Sequence, residues 1–128
     1  MCISIFPVGG NDESYLITID VNRNIETWFG ERKNDSIENM REMKLVKKEK
    51  RLLAENEYVV LKNIKSEVEK MTFTQKSNLR KDGWEVNIII NNKKARFFYG
   101  EHGNDNFGVL LETIIKYSPI KIDIHSWS

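Results

Sequence analysis

Residues 84–99 read WEVNIIINNKKARFFY, two β-rich runs on either side of an Asn-Asn-Lys reversal. Trp, Val, Ile, Phe and Tyr suit a half-buried pleated surface, and Asn supplies the tight turn between strands. A turn at Asn91-Asn92 and one at Asn92-Lys93 give the same faces. Trp84, Val86, Ile88, Ile90, Ala95, Phe97 and Tyr99 share one side, which reads as core. Glu85, Asn87, Ile89, Lys94, Arg96 and Phe98 share the other, which reads as largely wet.

Towards the C-terminus, the loop GEHGND leads into a helical pattern with Phe107, Leu110, Leu111, Ile114 and Ile115 on one side. Asn104 or Asp105 is placed to cap it, and Ser118-Pro119 must end it because proline disfavours helical geometry in the residue before it. Glu112 and Lys116 stand at i and i+4 in the favourable order. Ile120, Ile122 and Ile124 then alternate with Lys121, Asp123 and His125, the pattern of a closing strand.

Towards the N-terminus, residues 72–83 form a polar connection. Before it, Tyr58, Leu61, Ile64, Val68 and Met71 recur at steps of 3, 3, 4 and 3, one stripe of a helix lying on a sheet. Residues 34–53 read as a short turn or helix followed by a strand from about Glu42 to Leu52. Its basic run, Lys47-Lys48-Glu49-Lys50-Arg51, could seize phosphate, but lysines are also how an edge strand avoids pairing with another sheet. Residues 15–20 and 25–29 make a hairpin whose turn, Val21-Asn22-Arg23-Asn24, offers Asn for positive φ. Both of its faces are partly apolar, so the second face needs some cover. Ile3 and Ile5 mark a first short strand ended by Pro7. The whole is one α+β domain over residues 1–128: a mainly antiparallel sheet, curved or split, under two amphipathic helices, in the order β-β-β-β-α-β-β-α-β.

Composition narrows the function. Twenty Lys+Arg against 19 Asp+Glu leave a net charge of +1, far from the basicity of a duplex-binding domain. The charge is uneven: residues 1–40 carry 3 basic and 7 acidic side chains, residues 41–81 carry 12 and 6. Cys2 is the single cysteine, which points to a reducing compartment. Neither a signal peptide nor a membrane span is visible in the sequence, and a cytoplasmic protein is the expectation.

Chemistry-bearing residues are sparse. His102, beside Glu101 in a glycine-bounded loop ahead of a helix, is placed to transfer a proton near a bound anion, which would make the chain a small hydrolase. His102 and His125 with Asp105 and Asp123 are the residues from which a metal site would have to be built, yet no His-x-x-x-His or Cys-x-x-Cys spacing is present, and no metal or cofactor is expected. Ser126 and Ser128 lack a nucleophile-elbow context. Trp28, Phe98 and Trp127 near lysines match the combination that stacks single-stranded nucleic acid. The acidic residues Asp12, Glu13, Glu26 and Glu31, with Trp28 among them, form instead a candidate surface for a protein partner, for which a basic groove such as that of a nuclease is the matching charge.

The segments YLITIDVNRNIETWFG, DGWEVNIIINNKKARFFYG and LLETIIKYSPIKIDIHSW, the chain length and a composition with 15 Ile, 14 Lys and 13 Asn together resemble the small immunity proteins that bacteria make against their own contact-dependent or secreted toxins. That resemblance implies a non-enzymatic module that binds a cognate toxin and covers its active site or substrate path. The strand-rich run before a helix also resembles the Whirly arrangement of single-strand-binding proteins, although the second half is no repeat of it.

Overall fold

In a computed structural model of the chain, which describes residues 1–7, 14–31, 44–71, 73, 84–99 and 105–122, the two strands of the Trp84 hairpin form, but Tyr99, read as core, lies beyond the second strand and is exposed. Strand β5 (Trp84–Ile90) and β6 (Lys93–Phe98) pair with Ile90 opposite Lys93, so Asn91-Asn92 is the turn and Asn91 takes φ 55°. Asn tolerates that left-handed geometry better than most residues. In chain order the other elements are β1 (Cys2–Pro7), β2 (Ser14–Ile19), β3 (Asn24–Glu31), β4 (Lys44–Leu52), α1 (Glu55–Glu69) and α2 (Asn106–Tyr117).

All six strands join one open antiparallel sheet in the order β4-β3-β2-β1-β5-β6. The first four strands form a meander, and β5 returns after α1 to lie on the free side of β1. That makes β1 central. Ile3, Ser4, Ile5 and Phe6 are consequently all buried, on both faces, as a strand in mid-sheet must be.

The helices lie on the face built by Ile3, Ile5, Tyr15, Ile17, Ile25, Val86 and Ile88. Leu61 and Val68 of α1, and Phe107, Leu110, Leu111 and Ile114 of α2, close this core, with Tyr58 and Ile64 packed at its margin. Asp105 caps α2 by accepting from the Gly108 N–H at 3.1 Å. A partly buried polar pair sits at the edge of this core. Ser118 Oγ donates to the Ile120 carbonyl at 2.7 Å, which makes Thr27 Oγ1, 2.6 Å away, the donor to Ser118.

The structure corrects three further expectations. Ile120–Ile122 form no strand; the Ser118 hydroxyl engages both the carbonyl and the N–H of Ile120, so neither remains for a ladder, although Ile120 and Ile122 still bury their side chains. The remainder of that alternation, residues 123–125, lies outside the described residues. In the β2–β3 turn the positive φ, 68°, belongs to Arg23 and not to an asparagine. The Asp20 carboxylate organises this turn instead, accepting from the Asn22 and Asn24 N–H groups at 2.8 and 3.0 Å. Finally, the second side of the Trp84 hairpin is mostly closed: Glu85, Asn87 and Phe98 are 6%, 8% and 4% exposed, Ile89 is half-buried, and Lys94 and Arg96 are exposed.

Candidate functional site

The face of the sheet opposite the helices brings the acidic hairpin against the basic run. Glu26 and Trp28, two residues apart on β3, point to the same side, and the Trp28 indole N–H donates to the Glu26 carboxylate. Across the ladder Glu26 stands opposite Lys50 and Trp28 opposite Lys48. The Lys48 ammonium lies 5.0 Å from the Trp28 ring centroid, within cation–π range. Beneath this strip, Trp28 and Cys2 pack against a small second cluster of Phe6 and Leu16. The result is a half-exposed aromatic seated on an apolar island with a carboxylate and two ammonium groups at its rim.

Strand β4 continues the strip to the margin of the sheet. A register shift falls between Phe29, opposite Lys47, and Gly30, opposite Leu45, so Val46 is the extra residue of a β-bulge. Leu45, Val46 and Leu52 are exposed apolar side chains, flanking exposed Lys47, Lys48 and Lys50. Among the described residues β4 is the end strand and pairs on one side only.

Of the residues expected to meet a partner, Glu26 and Trp28 are thus brought together. The Glu31 backbone ends β3 opposite Lys44. Asp12 and Glu13 lie outside the described residues, as do His102, His125, Asp123, Ser126, Trp127 and Ser128. The proposed acid–base and metal constellations therefore fall outside them too. Among the described residues no three His, Cys, Asp or Glu side chains converge as metal ligands. Asp105 is engaged as a helix cap. Phe98 is buried and offers no open ring face for stacking a base.

Sequence reasoning missed a polar track on this same face. Glu85 accepts from Arg96 Nε and Nη2 at 2.8 and 2.6 Å and from the Asn87 amide at 3.0 Å. Asn87 is in register with Ser4 on one side and Arg96 on the other. The Ser4 and Ser14 hydroxyls are buried without a partner among the described residues. The signal was present: Glu85 and Arg96 are diagonal neighbours in the hairpin register, close enough to pair. Arg96 neutralises Glu85 and Asn87 takes a second carboxylate oxygen, so the trio fastens β5 to β6, while Glu26, Trp28, Lys48 and Lys50 gather at the other end of this face.

Compared with protein-family models, with curated proteins and with solved structures, the chain finds no match in any of the three.

Proposed function

We propose that the protein is a non-enzymatic binding module that neutralises a cognate bacterial toxin in the cytoplasm by covering its active site or substrate path, in the manner of the immunity proteins its sequence resembles. The observation that supports this reading most is the strip Glu26–Trp28–Lys48–Lys50, an aromatic anchor with charged neighbours beside the exposed margin of the sheet. Buried tryptophans ringed by polar groups carry much of the energy of protein interfaces. The strip carries both signs of charge, so the matching toxin surface pairs a cationic groove, facing Glu26, with acidic groups facing Lys48 and Lys50.

The test uses the product of the reading frame next to this gene. It should co-purify with the protein and lose its toxic activity in the complex, and Trp28→Ala should weaken binding by about tenfold or more. Glu26→Gln should slow association more at low salt than at high salt. A neighbouring product that neither co-purifies nor is inhibited would sink the reading. The pairing of Trp28 with Lys48 also suits single-stranded nucleic acid. Flat titrations with labelled oligonucleotides are expected, and a steep, salt-dependent isotherm abolished by Trp28→Ala would replace the toxin reading with that one.

A further inference from the structure

At one end of the sheet, α1 stands away from the β2–β3 turn and leaves a cleft of about 430 Å³, within the size range of small-molecule sites. Its floor and walls are apolar, with Ile19 from β2 facing Leu61 from α1 and Val21 at the mouth. A second depression of about 500 Å³ shares Met1, Ile19, Asp20 and Asn91 with it and continues round the sheet end past Thr18 and Ile89.

The polar groups of the cleft are mostly donors without an acceptor. Lys62 and Lys65 project from α1 on the same side as Tyr58 and Leu61, since all four fall within one helical stripe. Among the described residues the Tyr58 hydroxyl, the Lys62 ammonium and the Asn91 amide have no hydrogen-bond partner, and Lys65 has only Glu69, at 3.8 Å. The single lining carboxylate, Asp20, is already committed. Its oxygens accept from the Asn22 and Asn24 N–H groups and, at 3.2 Å, from the Asn24 amide. The Met1 N-terminal ammonium also lines the cleft, donating to the Ile19 carbonyl at 3.2 Å, so three cationic groups face one committed carboxylate beside apolar walls.

We infer that this cleft binds a small monocarboxylate with an apolar body, the acid group held by Lys62 and Lys65 and the body lying against Ile19 and Leu61. The apolar walls call for an apolar body, and a neutral amphiphile would leave the lysines without an anionic partner. This site does not depend on the toxin-binding reading, because none of Glu26, Trp28, Lys48 and Lys50 lines it.

The experiment is a ¹⁵N–¹H NMR titration of the whole chain with decanoate, kept below its micellar range, and in parallel with decanol. Decanoate should shift the amides of Ile19, Asp20, Leu61, Lys65 and Asn91 saturably. Decanol should bind at least about tenfold more weakly, the scale of one charge-assisted contact. Lys62→Ala/Lys65→Ala, two substitutions at accessible helix positions, should reduce decanoate affinity by a similar factor and leave the decanol titration unchanged. Equal affinity for decanol and decanoate, an unaffected double variant, or saturable shifts centred away from the cleft would each overturn the assignment. The amide spectrum of the double variant reports separately whether its fold is intact.

Discussion

Tyr99 shows how a single residue escapes a pattern-based reading. The i,i+4 order predicts that Glu112 serves Lys116, but Glu112 reaches off its helix to accept the Tyr99 hydroxyl at 2.7 Å. That hydrogen bond, and then burial, push the phenol up to about 12. In the unfolded chain the group titrates near pH 10. The folded state holds the proton more tightly, so this contribution to stability is complete below about pH 10 and is lost as pH rises through about 12. A 295 nm absorbance titration of wild type minus Tyr99→Phe should isolate a component with a midpoint near 12, moving down towards 10 in the Glu112→Gln background. A wild-type component already near 10 would show that the bond does not form. Arg23 is a second residue of this kind: a side chain with no turn preference takes the left-handed position because Asp20 has fixed the residues around it. Candidate site residues were readable only as types. Glu26 and Trp28 stood out as an acid and an aromatic, but that they touch each other and face Lys50 and Lys48 depends on a strand register that no residue carries alone.

Elements were more readable than residues because periodicity is a property of segments. The helical stripe from Tyr58, the apolar side of α2, both hairpins and the lysine-rich strand before α1 follow from steps of 2 or 3 to 4 along the chain. What periodicity omits is how elements are fastened. Arg51, near the end of β4, gives Glu57 of α1 a bidentate pair at 3.0 and 2.9 Å and donates through Nε to the Tyr117 carbonyl of α2 at 2.8 Å. Glu57 also accepts from the Ala54 N–H at 2.9 Å, partly replacing the side-chain cap that alanine lacks. These donors, Arg51 foremost, hold the Glu57 carboxyl below its ordinary value. A depressed carboxylate contributes stability above its unfolded pKa of about 4.3, and that contribution is lost as pH falls through the lower, folded value. Glu57→Gln should therefore cost about 1 kcal/mol in urea unfolding at pH 7, a modest figure because the pair is partly in water. The gap from wild type should shrink towards zero once the pH is low enough to protonate Glu57 in the native protein. An equal gap at neutral and acid pH would mean that packing of the side chain, and not its charge, fastens the joint.

At the scale of the molecule, strand order is the fact that local pattern withholds. Period-2 alternation says which residues share a face but not which strand lies alongside, so the placing of β1 between β2 and β5 could not be read from Ile3 and Ile5. The same limit explains why the second side of the Trp84 hairpin reads as wet from the sequence: its burial follows from the central position of β1 and from the Glu85–Arg96 trio beside it. Strand order also decides which strands end the sheet, and among the described residues β4 ends it, with exposed Leu45, Val46 and Leu52 flanking its lysines. Two copies of β4 laid edge to edge would gain main-chain hydrogen bonds and bury those apolar groups, but they would also crowd Lys47, Lys48 and Lys50 of one copy against those of the other. Like charges facing across strands oppose pairing, and the Val46 bulge bends the strand further from a flat template. Replacing Lys48 and Lys50 by threonine keeps the β preference and removes that repulsion. The double variant should therefore self-associate with rising concentration in sedimentation velocity, while the wild type should form no dimer through β4. A wild-type dimer lost on placing proline at an outward-facing β4 N–H would show that the lysines do not guard this strand. The barrier is selective, because acidic groups on a different protein would meet the same lysines with attraction, so the strand that resists its own copy remains open to a partner of opposite charge.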